Sequence, residues 1–238
     1  MNDYQTPDLS TAEGGTASPA AGPMGSGDTM FFQIWLLALT RPREATYQAI
    51  VEDTGASIGR AAIWIFISSL VSYGIAAVLQ FGQMAVLFNQ MEESSSLGAM
   101  AGGGAIALIC GLPFVAGIAV VGAMVYAALL QFIAGALGGE GSFQDLFYGT
   151  ASITAPMTLV TTALGIIPFV GACLTIPLSF YAIYLNALVI KATNRFGWGS
   201  AIVTLLVPVI LTLLIGLIII ALLFPFMQEL MQSELGTF

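Results

Sequence analysis

From Ala61 to Phe226 the chain is a succession of apolar stretches with short breaks, and no Lys, Arg, Asp or Glu sits in the middle of any of them. About 20 apolar residues in a row let an α-helix cross the roughly 30 Å hydrocarbon core of a bilayer. Only helices and closed barrels satisfy every backbone hydrogen bond in lipid. Barrel strands would alternate apolar and polar residues, whereas the stretch from Leu205 to Ile220 does not alternate. The fold class is therefore all-α, a polytopic membrane helical bundle.

Composition narrows the function. Hydrophobic residues make up 58% of the chain and charged residues 8%, against about 25% charged in a soluble domain. The net charge of −8 argues against nucleic acid as a partner, because that needs a basic surface. With 0 histidines, imidazole metal sites and histidine bases drop out. Cys110 and Cys173 fall in apolar segments and read as small buried hydrophobes. The N-terminus lacks a basic region followed at once by an apolar core, so it does not read as a cleaved signal peptide.

Three regions are expected. Residues 1–29, rich in Gly, Ser, Thr, Pro and Ala, read as a disordered cytoplasmic tail. Residues 30–56 read as two short amphipathic helices separated by Pro42. Trp35, Arg41, Pro42, Arg43 and, further on, Trp198 are the membrane-interface candidates. The other reading of this helix pair packs it on the cytoplasmic end of the bundle. Residues 57–238 read as a five-helix transmembrane domain, with spans at about 61–87, 105–137, 149–167, 172–190 and 201–226. Gly111 and Pro113 would kink or split the second span. Pro156, Pro168 and Pro177 are further helix breaks, Gly102–Gly104 reads as a linker, and Ser142 with Asp145 forms a capping box.

Charge sets the expected orientation. Arg41, Arg43 and Arg60 precede the first span, and Lys191 and Arg195 lie between the fourth and fifth. Five spans put all of them on one side, which the positive-inside rule makes cytoplasmic. The N-terminus would be inside and the C-terminus outside.

Two small-residue stripes, Ser68, Ser72, Ala76 and Ala119, Ala123, Ala127, recur every four residues and are helix-packing candidates. No ionisable residue lies near a span centre. Gln131, Asn186 and the stripe Thr154, Thr158, Thr161, Thr162 are the polar groups, read first as hydrogen-bonding within and between helices and second as the lining of a permeation path. No nucleophile–base pair or ligand set is evident, so no catalytic residue, metal or cofactor is expected.

The series Gly138-Gly-Glu-Gly-Ser-Phe-Gln-Asp-Leu-Phe147, Ala155-Pro156, Ile167-Pro168-Phe-Val-Gly171, Tyr184, Gly199-Ser-Ala201 and Val207-Pro208 resembles the YIP domain family of Ypt/Rab-interacting membrane proteins. The upstream Trp35, Arg41-Pro42-Arg43, Tyr47 and Ile50 are similar to the family's pre-membrane helix. The likeness covers about residues 31–223. It implies a five-helix membrane domain with a cytoplasmic N-terminus and no catalytic residue. Eukaryotic relatives bind Rab-type GTPases and carry an Asp-Leu-Tyr-Gly-Pro-like motif before the first span. That motif is not found here, so GTPase binding is not carried over. The Ala- and Gly-rich, Lys-poor composition points to a prokaryotic-type member in the cytoplasmic membrane. The partners expected are the lipid bilayer and either further copies of the chain or other membrane proteins. The leading role is a non-catalytic scaffold or membrane organiser. The alternative is a small permease or channel using the proline-broken third and fourth helices.

Overall fold

A computed structural model describes residues 31–89, 97–167 and 169–235. The expected tail at 1–29 and Pro168 lie outside the described residues. The described elements are helices: α1 (Phe31–Thr40), α2 (Glu44–Val51), α3 (Ile58–Asn89), α4 (Leu97–Ala136), α5 (Phe143–Gly165), α6 (Val170–Asn194) and α7 (Trp198–Leu235). Among the described residues no strand occurs.

Among the described residues four helices contain segments long and apolar enough to cross a membrane: Ile58–Gln83, Cys110–Ala136, Gly171–Asn194 and Trp198–Pro225. The third expected span, α5, is not among them. At 23 residues it is about 34 Å long, so length is not what it lacks. Its apolarity is diluted by Gln144, Asp145, Thr150, Ser152 and four later threonines. In the structure much of α5 is enclosed by other helices. Within α5, every residue from Leu146 to Met157 except Thr154 is buried. The helix lies at the centre, packed on α1, α2, α3, α4 and α6.

The bundle is closed at one end and open at the other. The closed end holds the large buried side chains, including Ile34, Tyr47, Ile50, Trp64, Leu130, Phe147, Tyr148, Val189 and Ile190. Towards the other end more of the apolar side chains face outward. Ile166, Ile167, Leu174 and Ile176 are exposed, and α7 from Val209 to Phe224 turns apolar residues outward almost all round. Exposed apolar surface is costly in water, but hydrocarbon tails are as apolar as the side chains. Cys110 and Cys173, expected inside, are free thiols on outward faces; a thiol in an apolar segment is equally at home against lipid.

The inner face of α3 runs Ala61, Trp64, Ile65, Ser68, Ser69, Ser72, all buried, at the spacing of one helical face. Ala76 continues it, half-buried. On α4 the matching stripe is Ala116, Ala127, Leu130 and Ala134, buried, with Ala119 and Ala123 half-buried. Ser72 is tightly enclosed, and its Oγ has no hydrogen-bond partner. Ser72→Leu is expected to destabilise the bundle by about 1–3 kcal/mol through overpacking, read as a lower melting temperature in detergent. A melting temperature equal to the wild type would remove this face from the packing account.

The second expected span differs in extent. Helix α4 is one helix from Leu97 through Gly111 and Pro113 to Ala136, and it includes Gly102–Gly104. Its 40 residues exceed the bilayer core, so the glycines are part of the helix and not a linker before it.

Candidate functional site at the charged end of the bundle

Helix ends converge where the core is tightest. The starts of α3, α5 and α7 meet the ends of α4 and α6. The Gln131 amide donates from α4 to Gly141 O (2.5 Å) and Asn194 Oδ1 (3.2 Å). The Glu140 N–H donates to Asn194 O at 3.3 Å, and Gln144 Nε2 donates to Ala56 O at 3.0 Å. Tyr184 stacks on Trp198 with ring centroids 6.1 Å apart.

The turn between α4 and α5 fits only because of its glycines. Gly138 has φ +87°, which favours glycine. A Cβ on Gly139 would lie 2.6 Å from Asn194 Oδ1, and one on Gly141 would lie 2.7 Å from Thr193 O. The turn therefore sits backbone-to-helix on α6. Ser142 then starts α5: its Oγ accepts the Asp145 N–H at 3.1 Å, and its hydroxyl donates to Asp145 Oδ2 at 2.6 Å.

Helices α1 and α2 are fastened to this end. Tyr47, fully buried on α2, donates to Ala38 O of α1 at 2.7 Å. Tyr181 of α6 donates to Leu39 O at 2.6 Å. Trp35 is 8% exposed and meets Trp64 edge-on at 6.0 Å. That burial supports the packed reading of α1, with Phe32 and Leu36 as its outward face. Arg41 and Arg43 are exposed and Pro42 half-buried between them. Trp198 is partly exposed, with Lys191 Nζ 5.4 Å from its ring centre.

The five Lys and Arg residues of the chain gather here with Glu44, Glu52, Asp53, Glu140 and Asp145. Lys191 pairs with Glu44. Arg60 lies 3.6 Å from Asp53 and Arg195 3.8 Å from Glu52. The last pair is open to water, so it contributes little.

Burial pushes the Tyr47 phenol well above its ordinary value of 10.0. The folded state thus keeps Tyr47 neutral where an unfolded chain would ionise it. Its stabilising contribution is complete below about pH 10 and declines above it. Tyr47→Phe is expected to cost about 1 kcal/mol by leaving the Ala38 carbonyl unpaired, and to lessen the alkaline loss. Thermal melts at neutral pH and above pH 10 read both effects.

Two recesses adjoin the site. A cleft of about 240 Å³ lies between α2, the start of α5 and the end of α6. A groove of about 190 Å³ lies between α5 and α6, with Thr154, Thr158, Thr161, Ser179 and Asn186 in its wall. Most of its polar groups are already engaged. Thr158, Thr161, Ser179 and Asn186 each donate to the carbonyl four residues back, as does Thr162 outside the groove. Pro156 is buried in α5 and Pro177 exposed on α6. Among the described residues no group of three or more His, Cys, Asp or Glu could hold a metal ion.

The model of the Yip1 domain matches residues 36–220, and the chain belongs to that family. It is an integral membrane protein of helical build. Neither a curated protein nor a solved structure matches it.

Proposed function

We propose that this Yip1-domain protein is a non-catalytic scaffold or adaptor of the cytoplasmic membrane, crossing it five times with its charged end inside. The carrying observation is that α1 and α2 are bonded to the transmembrane helices through Tyr47, Tyr181 and the Lys191–Glu44 pair. A partner held by this end is thereby held by the bundle. The gathering of all five basic residues at the same end favours the cytoplasmic assignment. The α5–α6 pair leaves this end and returns to it, so the two helices cross together or not at all. A crossing by α6 without α5 would part Glu140 from Asn194, which are hydrogen-bonded.

The test is affinity capture after crosslinking in native membranes. Deleting residues 1–54 would remove Ile34, Trp35, Tyr47 and Ile50 from the core, so a gentler pair is used: deletion of 1–29, and R41E/R43E at exposed positions. Loss of specific proteins in one of these, with an unchanged melting temperature, supports an adaptor. Identical captured sets in all three proteins would remove it.

The groove along Thr154 and Asn186 favours a second reading, a small permease. Its volume and internally bonded hydroxyls give packing the better claim. Solute flux in vesicles that is lost in Asn186→Leu would reverse that preference.

A further inference from the structure

We infer that the cleft between α2, α5 and α6 is a headgroup site for a phosphoethanolamine lipid. Gln48, Glu52, Asp145, Thr193 and Arg195 are in its wall. Two carboxylates and one guanidinium face one small volume. A lone cation would compete with Arg195 for Glu52, and a lone anion would meet both carboxylates. A zwitterion satisfies both signs, its ammonium towards Glu52 and Asp145 and its phosphate towards Arg195.

The groups that would receive it are underused. Glu52 and Arg195 are 3.8 Å apart with both side chains about two-thirds exposed, a pair that exchanges partners at little cost. Asp145 uses Oδ2 for the Ser142 hydroxyl, which leaves its other oxygen. Thr193 is the independent sign. It is 7% exposed, and its Oγ1 has no hydrogen-bond partner. Eight other threonines, at 40, 150, 158, 161, 162, 175, 204 and 212, donate to the carbonyl four residues back. Thr193 does not, and it lines the cleft with a hydrogen bond unfilled, one that a ligand's N–H can supply. An unpaired buried hydroxyl is costly, and a ligand that bonds it recovers that cost. The depth is right as well. Arg195 is followed by Phe196 and Trp198, aromatic residues of the kind that mark the headgroup level.

The headgroup identity gives a sharp control. Phosphatidylcholine has the same charges, but its trimethylated nitrogen carries no N–H. The full chain in detergent is titrated with phosphatidylethanolamine, with phosphatidylcholine of equal acyl chains, with soluble phosphoethanolamine and with a lysine peptide. Thermal shift and lipid retention in native mass spectrometry are read. Phosphatidylethanolamine is expected to bind about tenfold more tightly than phosphatidylcholine, the worth of one charged hydrogen bond. Glu52→Gln and Thr193→Val should erase that preference. Thr193→Val should also melt at or above the wild-type temperature without lipid, because it removes an unpaired hydroxyl; this separates lost binding from lost folding. Equal affinity for the two lipids, or a preference that survives in both variants, overturns the proposal. Soluble phosphoethanolamine matching the lipid would keep the chemistry and overturn the lipid source. A shift produced by the lysine peptide alone would overturn it in favour of a basic protein segment. The cleft excludes Arg41 and Arg43, so this result and the capture experiment fail independently.

Discussion

Gly141→Ala is expected to lower stability by about 1–3 kcal/mol, the range for forcing extra volume into a closed site. The new Cβ would lie 2.7 Å from Thr193 O and 2.8 Å from Asn194 Oδ1. Neither can withdraw cheaply. The Thr193 carbonyl belongs to the last turn of α6, and Asn194, buried, has its Nδ2 bonded to Ile190 O at 3.1 Å. Moving the turn instead would stretch the Gln131 bond to Gly141 O, 2.5 Å long in the native bundle. Gly135→Ala is the control. Nothing lies within 4 Å of its Cβ, and alanine is the better helix former by about 1 kcal/mol, so this variant should melt at or above the wild type. Melting curves in one detergent compare the two. If Gly141→Ala matched Gly135→Ala, the turn would not be docked on α6 as described.

The contrast between these glycines shows what a sequence can carry. Local signals were readable: the apolar runs of α3, α4, α6 and α7, the serine cap of α5 and the helical spacing of Ser68 and Ser72. Hydropathy describes α5 only in part, because it registers the helix's own side chains and not the neighbours that enclose it. Trp35 carries an interfacial signature, yet it is buried, because its partner Trp64 is 29 positions away in the chain. The charged end was legible as charge but not as structure. Lys191 finds Glu44 across 147 positions and Gln131 finds Asn194 across 63, and no local pattern announces such pairs. Thr193 is the extreme case. Its sequence context is that of any helical threonine, and a buried hydroxyl with no bond sets it apart.

Trp64→Ala should be the most damaging single change, at about 3–5 kcal/mol for truncating a buried tryptophan. Trp64 is 4% exposed and joins three parts of the closed end. Its ring lies 6.0 Å from Trp35 and 5.0 Å from Tyr148, centroid to centroid. The Arg60 guanidinium lies 5.2 Å from its ring centre, a cation–π contact. Removing the indole takes the seat from under α1 while leaving the apolar spans intact. Helices long and apolar enough to insert do so before they pack. The variant should therefore still reach the membrane, with α1 and α2 loosened. Trypsin offers a direct reading, since the bond after Arg43 is cleavable whereas Arg41 precedes a proline. Cleavage there should be faster in Trp64→Ala and close to wild type in Trp64→Phe. Unchanged cleavage and melting would mean that α1 is not anchored through this ring. The same variant probes the scaffold. Trp64 is nearly closed to solvent and so has little surface to offer a partner, whereas Arg41 and Arg43 are exposed. If capture depends on α1 and α2 being held to the bundle, Trp64→Ala must weaken it through lost anchoring. R41E/R43E must weaken it with the anchor, and the melting temperature, unchanged.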